Sequence, residues 1–238
     1  MSACADHEPG TPPRLITRLE QGSSRLPVEI ACFDTVNMPA TLISTTGYHC
    51  DVWRIIRRRI AGAQGDGIDF VVKRHLQPCT LREIEIMQRD YQLLSGALGD
   101  MVPKAWFVAT RVSGDLNCVV IAEPINPWFN LANPAYEEEG IELLRQHRKA
   151  QDQLRRFLAA ARTWDELGDG RVIDLWGLDN LVLDVDRRVR YIDSFRVFFH
   201  TDMLHILDEA DEDLEERIRV SRERRAFLQH ILSLSERR

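Results

Sequence analysis

The alternation of hydrophobic and polar positions predicts a β-rich first half of the chain. Short apolar runs that are rich in β-branched residues cover 40–44, 52–60 and 68–73. Turn-forming segments separate these runs, and the one at 62–67 contains three glycines. Apolar runs of this length between turns are typical of strands. An antiparallel meander of three strands is therefore predicted.

The hydrophobic period then changes to that of a helix. Between 80 and 96, apolar residues recur at spacings of three and four, which places them on one stripe of an amphipathic helix. Thr80, followed three residues later by Glu83, is also typical of a capping box at a helix N-terminus. The stripe consists of Leu81, Ile84, Met87, Tyr91 and Leu94.

A hairpin and a hinge are predicted next. The apolar runs 105–110 and 117–122 lie on either side of a turn-forming Ser-Gly-Asp segment at 113–115. Three prolines then interrupt any regular pattern within 123–134. Because proline disfavours both helix interiors and central strands, we interpret this segment as a hinge between two domains.

The second half of the chain is predicted to be mainly helical. A helical pattern covers 136–164, and a second, strongly charged one begins at Thr201. Two short apolar runs between them, 180–183 and 189–192, are joined by a turn at 184–187, which predicts another hairpin. The fold class is therefore α+β. In order, the predicted parts are a loose leader (1–26), a sheet-and-helix domain (27–122), the hinge (123–134) and a helical domain that carries the second hairpin (135–238).

Charge and cysteine content narrow the classes of partner. The net charge of −6 argues against a nucleic-acid partner. The five cysteines include no CxxC pair, so neither a disulfide framework nor a zinc site is indicated. No apolar run approaches the roughly 20 residues that span a bilayer, and the chain does not begin with a signal-peptide pattern. We expect a cytoplasmic protein without a membrane partner, with a secreted effector as the alternative.

Candidate chemistry lies in one lysine and in a later group of acidic and amide residues. Only three of the 31 basic residues are lysines, and Lys73 directly follows the apolar strand segment 70–72. A compact ammonium group at a strand end suits a polyphosphate. Asp174 and Asn180 precede the second predicted hairpin, and Asp193 follows it. A β-rich half followed by a helical half, with acidic residues at a late hairpin, is the layout expected for a two-lobed nucleotide phosphotransferase.

These segments, in this order, resemble the protein-kinase-like superfamily. The run 70–73 is similar to the strand that carries the ATP-binding lysine, 174–180 to the catalytic loop D-x-x-x-x-N, and 191–195 to the segment that contains the metal-binding aspartate. The resemblance implies a two-lobed fold, ATP and Mg²⁺ as cofactors, and transfer of the γ-phosphoryl group to a hydroxyl of a protein or small molecule. It points to a divergent, minimal kinase of bacterial or phage type.

The resemblance also implies which residues contact the nucleotide. Lys73 would pair with the α- and β-phosphates, and an acidic residue of the following helix would hold this lysine in place. Glu83 is preferred for that role, with Glu85 as the alternative. The run 119–124 is similar to the family's hinge strand, so the backbone at Glu123 and Ile125 would bind adenine.

The glycine-rich loop of the family is reduced to one glycine in this chain. Thr46, Gly47 and Tyr48 stand where that loop would contact the phosphates, and Val52 stands at its final valine. Backbone amides at 46–48 could still bind phosphate oxygens. All four residues are therefore candidates for cofactor binding.

The remaining implied roles belong to the second hairpin. Asp174 would be the base, and Asn180 and Asp193 would bind Mg²⁺. Asp174 lies six residues before Asn180 rather than five, so Asp179 is the reserve candidate for the base. The segment after Asp193 also lacks the glycine of D-F-G. Because such departures also occur in pseudokinases, two alternatives remain: an adaptor that binds a protein partner without catalysis, and nucleotidyl transfer on the same fold.

Overall fold

A computed structural model describes most of the chain and divides it into two compact units. The first unit comprises the described residues up to Ile84 together with Trp106–Ala122, and the second comprises Glu85–Ala105 and those from Glu123 onward. The predicted leader at 1–26, and Thr46, Gly47 and Tyr48, lie outside the described residues. The described residues are 40–44, 50–57, 68–167, 170–202 and 212–237.

A five-stranded sheet forms the first unit. Its order is β1-β2-β3-β5-β4, and β1 to β3 form the predicted antiparallel meander. The predicted hairpin joins β4 to β5, with Ser113 (φ 54°) and Gly114 (φ 97°) at its turn. Two positive φ angles in a two-residue loop match the twist of the flanking strands, which explains the glycine. The strands are β1 (Ala40–Ser44), β2 (Cys50–Arg57), β3 (Ile68–His75), β4 (Ala105–Val112) and β5 (Asp115–Ala122).

The predicted amphipathic helix forms as α1 (Leu81–Leu98) and is followed by a short 3₁₀ turn, Gly99–Met101. Its first turn is closed by a capping box. The backbone N–H of Thr80 donates to the Glu83 carboxylate (2.7 Å), and the N–H of Glu83 donates to the Thr80 hydroxyl (3.2 Å). The predicted apolar stripe is buried at four of its five positions, with Leu94 fully enclosed. Burial of this stripe fixes the helix orientation.

Short strands in the second unit form two small antiparallel ladders. Strands β6, β8 and β9 make a three-stranded sheet in that order, and β7 pairs with β10. The predicted hairpin is β8–β9. Sequence patterns missed β6, which lies within the predicted hinge at 123–134, and the three-residue strands β7 and β10. The strands are β6 (Pro127–Asn130), β7 (Arg171–Ile173), β8 (Leu181–Asp184), β9 (Val189–Tyr191) and β10 (Phe198–His200).

Three helices complete the second unit among the residues that the structure describes. The segment 136–164, which is predicted to be helical, forms two helices, α2 (Glu137–Gln146) and α3 (Arg148–Arg162), with a break at His147. His147 has an extended backbone (φ −123°, ψ 84°), although its N–H still donates to the carbonyl of Leu143. The C-terminal helix is α4 (Glu212–Glu236). In the described part of the chain, no helix is long and apolar enough to cross a membrane.

Two adjacent leucines of α1 test which face of the helix is buried. Leu94 is fully buried, whereas Leu93 is 37% exposed. We expect Leu94→Ala to lower the free energy of unfolding by about 2–5 kcal/mol, because it removes buried methyl groups and leaves a cavity. Leu93→Ala should cost less than about 1 kcal/mol. Urea denaturation of the two variants measures this difference, and equal losses would contradict the observed orientation of α1.

Candidate active site

Three strand ends bring Asp174, Asn180 and Asp193 together in the second unit. Asp174 directly follows β7, Asn180 directly precedes β8, and Asp193 lies two residues after β9. The N–H of Ile192 donates to the carbonyl of Asn180 (2.9 Å), so the pairing of the hairpin continues one step beyond its strands. Asn180 and Asp193 therefore lie at the same open end of β8–β9.

The main-chain carbonyl of Asp174 ties the loop to this hairpin. It accepts a hydrogen bond from Nδ2 of Asn180 (3.2 Å) and another from the hydroxyl of Tyr191 (3.0 Å). Tyr191 is fully buried, so its hydroxyl needs such a partner. Since Nδ2 of Asn180 is used in this bond, Oδ1 is the amide atom that remains for a ligand, and no described residue donates to it.

Gly177 leaves room for the Asn180 side chain. A Cβ atom at position 177 would lie 2.5 Å from Oδ1 of Asn180 and 2.9 Å from its Cγ. Contacts this short do not occur without a shift of one partner. The N–H of Asn180 also donates to the carbonyl of Gly177 (3.3 Å), which closes a turn just before β8. The glycine is therefore required by close approach at this position.

The carboxyl group of Asp174 is buried beside a second carboxylate. Asp174 is only 4% exposed, and its Oδ1 accepts a hydrogen bond from the N–H of Trp176 (2.7 Å). Desolvation, followed by the charge of Asp193, raises the pKa of Asp174 to about 8, whereas the Trp176 hydrogen bond and the guanidinium groups of Arg217 and Arg224 act in the opposite direction. Asp174 is therefore mainly protonated at neutral pH in the protein alone.

Asp193 and Asp179 lie in contrasting surroundings. Oδ1 of Asp193 accepts hydrogen bonds from the N–H groups of Ser194 (2.6 Å) and Phe195 (3.3 Å), which fix its carboxylate at the start of the following loop. Phe195 is fully buried. Asp179, the reserve candidate for the base, is exposed on the loop before β8. Asp174 and Asp179, the two candidates for the catalytic base, therefore differ mainly in burial.

In the first unit, the sheet places Lys73 and Val52 side by side. Lys73 lies opposite Val52 of β2 on one side and opposite Val120 of β5 on the other. Residues directly opposite each other on paired strands share a face of the sheet. Val120 is fully buried, and Lys73 is half-buried. One valine therefore lies on either side of the predicted phosphate-binding lysine.

Glu83 has a structural function that the sequence also indicates. Its Oε2 accepts hydrogen bonds from both the N–H (2.7 Å) and the hydroxyl (2.8 Å) of Thr80, so the carboxylate caps α1. Both Glu83 and Glu85 are exposed. The role of Glu83 or Glu85 as the partner of Lys73 stays a prediction.

The predicted adenine-binding segment has one backbone donor already in use. The N–H of Glu123 donates to the carbonyl of Lys104 (2.8 Å), so this donor is not open to a base. Within the described residues, no hydrogen bond involves the backbone of Ile125. Of the predicted hinge donors, the N–H of Ile125 is therefore the one that has no hydrogen bond to a described residue.

Several residues around the site were not found from the sequence. The sequence places Tyr191 only in a predicted strand and in the segment around Asp193, and it indicates no site residue in the charged helical pattern that contains Ser221 and Arg224. Ser221 is nevertheless buried and accepts a hydrogen bond from the N–H of Leu175 (3.1 Å). Such contacts join residues 46 positions apart, and no local pattern signals them.

Comparison of the chain with protein-family models finds no match, and a search among curated proteins finds none either. What this site does is therefore inferred from the chemistry of its own residues.

The raised pKa of Asp174 predicts a pH dependence of stability. An unfolded aspartate titrates near 3.8, whereas Asp174 in the folded protein titrates at about 8. Protonation of Asp174 therefore favours the folded state. This contribution to the free energy of unfolding is fully present below pH 3.8 and is lost as the pH rises through 8. Urea denaturation in EDTA at several pH values between 4 and 8 measures this loss.

The isosteric variant Asp174→Asn should flatten this dependence, because an amide keeps an oxygen for the N–H of Trp176 but does not titrate. Asp179→Asn, at the exposed neighbouring carboxylate, serves as the matched control and should keep the wild-type pH dependence. If Asp174→Asn and the wild type lost stability in parallel over this range, the buried, protonated state of Asp174 would be refuted.

Proposed function

We propose that the protein is an ATP- and Mg²⁺-dependent phosphotransferase with a two-lobed, protein-kinase-like fold. It would transfer the γ-phosphoryl group of ATP to a hydroxyl of a protein or small molecule. The observation that carries this proposal is the convergence of Asp174, Asn180 and Asp193 at three strand ends. A carboxylate, an amide oxygen and a second carboxylate at one end of a hairpin are the groups that this reaction requires.

The donor set at the hairpin end is suited to magnesium. Mg²⁺ prefers hard oxygen ligands and is usually bound by one or two carboxylates together with water and substrate phosphates. Oδ1 of Asn180 and the carboxylate of Asp193 would provide such ligands. The described residues contain no cluster of three or more His, Cys, Asp or Glu side chains, which argues against an all-protein metal cage. When bound, Mg²⁺ with ATP would supply the positive charge that stabilises the phosphates during transfer.

Asp174 would receive the proton of the acceptor hydroxyl. Its Oδ1 is bound to the N–H of Trp176, which leaves Oδ2 for the acceptor. The charges of Arg217 and Arg224 favour the ionised carboxylate that this role needs. Only the ionised form of Asp174 can accept this proton, and a pKa of about 8 leaves that form as a minor fraction at neutral pH.

Residues of the first unit would bind the phosphates and the adenine of ATP. Lys73 carries the charge for the α- and β-phosphates, and the neighbouring, half-buried Val52 would contact the apolar face of a purine. The backbone of Ile125 would bind the adenine edge. Thr46, Gly47 and Tyr48 remain candidates for further phosphate contacts. Each contact is of the kind that the family uses.

One observation favours a second candidate function, a pseudokinase that binds nucleotide or a protein partner without catalysis. The proposed base is 4% exposed, which restricts the approach of an acceptor hydroxyl. A base that is buried in the protein alone must become accessible when substrate binds. Binding and turnover therefore have to be measured separately.

Nucleotide-dependent stabilisation tests the proposed function. ATP with Mg²⁺, at about 100 times its Kd, should stabilise the fold by about 2.7 kcal/mol, which raises the Tm of a chain of this size by roughly 5–10 °C. Asp193→Ala should abolish the Mg²⁺-dependent part of this shift. Asp174→Ala should keep the shift but remove turnover of γ-labelled ATP. No shift with any nucleotide would overturn the proposal, whereas a shift without turnover in the wild type would support the pseudokinase.

Glu83→Gln separates the two roles of this residue. Because glutamine can replace glutamate in a capping box, stability should change by less than about 0.5 kcal/mol. If the charge of Glu83 positions Lys73, turnover should nevertheless fall by at least about tenfold, the cost of one charged hydrogen bond. Thr80→Ala is the matched control, since it weakens the cap by about 1 kcal/mol and should leave turnover at saturating ATP unchanged. Full activity of Glu83→Gln would assign Glu83 to capping alone.

A further inference from the structure

One face of helix α4 binds the backbone that follows Asp174. Arg217, Ser221 and Arg224 are spaced by four and three residues, so they lie on the same side of the helix. The hydroxyl of Ser221, which is 1% exposed, accepts the hydrogen bond from the N–H of Leu175 (3.1 Å). Nη1 of Arg224 donates to the carbonyls of both Leu175 and Trp176. The two peptide groups beside Leu175 are thereby attached to α4.

Arg217 adds charge and packing at the same place. It is 7% exposed, and its guanidinium carbon lies 5.9 Å from the centre of the Trp176 ring. It also forms an ion pair with Asp213, one turn earlier on α4. Arg217 and Arg224 are the two cations whose charges act on the Asp174 carboxyl. This face of α4 therefore places hydrogen-bonding groups and positive charge against the loop.

A single peptide group connects Arg224 to the Asp174 carboxyl. The carbonyl of Leu175 accepts from Arg224, and the N–H of the same peptide group, which belongs to Trp176, donates to Oδ1 of Asp174 (2.7 Å). The peptide group is planar, so fixing its carbonyl also fixes the direction of its N–H. A cation on the carbonyl further polarises the N–H, because hydrogen bonds in series strengthen one another. The orientation of the Asp174 carboxyl thus depends on Arg224.

We propose that Arg224, supported by Ser221, is a positioning residue that holds the Asp174 carboxyl in its reactive orientation. This inference rests on the proposed phosphotransferase function. Neither residue needs to touch the nucleotide or the acceptor, because each acts on the loop backbone. Loss of Arg224 should therefore impair the chemical step and leave nucleotide binding intact.

Steady-state kinetics and nucleotide-dependent Tm shifts of four variants test this role. Arg224→Met should lower kcat by about 10- to 100-fold, the value of a hydrogen bond to a charged group, while the KM for ATP and the nucleotide-dependent Tm shift stay within about threefold and a few degrees of the wild type. Arg224→Lys keeps a cationic donor and should recover most of kcat. Ser221→Ala is a milder variant that can be used if Arg224→Met does not fold. We expect it to lower kcat as well.

Arg222→Met is the matched control on the same helix. Arg222 also makes two hydrogen bonds away from α4, to the carboxylate of Asp165 (2.6 and 3.1 Å), but it does not contact the loop. Its loss should reduce stability without lowering kcat. An equal loss of kcat in Arg222→Met, or no recovery in Arg224→Lys relative to Arg224→Met, would overturn the positioning role and indicate a general effect of α4 packing.

Amide hydrogen exchange separates failure of this inference from failure of the proposed function. The N–H groups of Leu175 and Trp176 should exchange faster in Arg224→Met than in Arg222→Met, with other amides unchanged. If the wild type neither binds nor turns over nucleotide, but this selective exchange is seen, the proposed function is wrong and the anchoring of the loop is real. If turnover is normal and exchange at Trp176 is unchanged in Arg224→Met, the function holds and the positioning role is wrong.

Discussion

The main-chain carbonyl of Asp174 is the acceptor on which the candidate site depends. It accepts hydrogen bonds from the hydroxyl of Tyr191 and from the side-chain amide of Asn180. One oxygen thus joins the end of β7 to both strands of the β8–β9 hairpin. Tyr191 is held in turn by the core, where its ring stacks on Phe157 of α3 at 6.3 Å. A buried hydroxyl without a partner costs roughly 1–3 kcal/mol. The core and the polar site therefore stabilise the same loop conformation.

Asp174 is buried beside the half-buried Asp193, and the two carboxyl groups would repel each other if both were ionised. Two features reduce this cost. Asp174 takes up a proton, and backbone N–H groups donate hydrogen bonds to both carboxyl groups. The charges of the α4 arginines also act on Asp174. Burial is the larger cause of the raised pKa of Asp174, and the charge of Asp193 adds to it. Burial and charge thus act together to hold a proton on Asp174.

The sequence predicted correctly those elements that are specified by residues close together in the chain. The spacing of the α1 stripe, the capping box at Thr80 and the turn at Ser113 each need only neighbouring residues, and all three are found in the structure. The break at His147 has no such signal, because no glycine or proline marks it and the helical pattern continues across it. Strands β7 and β10 are too short, at three residues each, to show an alternating pattern. They form only because they pair with each other.

The order of Asp174, Asn180 and Asp193 along the chain was enough to group them, but the support from α4 was not predictable. Ser221 and Arg224 bind the loop across more than 45 positions of sequence, and a charge pattern alone does not separate a buried arginine from a solvated one. Whether Glu83 contacts Lys73 remains a prediction for a related reason. The capping box accounts for the position of Glu83 at the start of α1, so the sequence signal for a cap does not reveal a second role.

The chain makes two turns between Asp174 and Asn180. Asp174 closes a turn through its own side chain, since Oδ1 accepts the N–H of Trp176 two residues on, and a second turn follows from Gly177 to Asn180. Two consecutive turns shorten the path, so six positions can bridge the distance to the hairpin. Leu175, which lies at the five-residue spacing, is 1% exposed and packs in the core. Position 175 therefore contributes to packing, whereas the carboxyl group of Asp174 is held by the backbone of the turn that it begins.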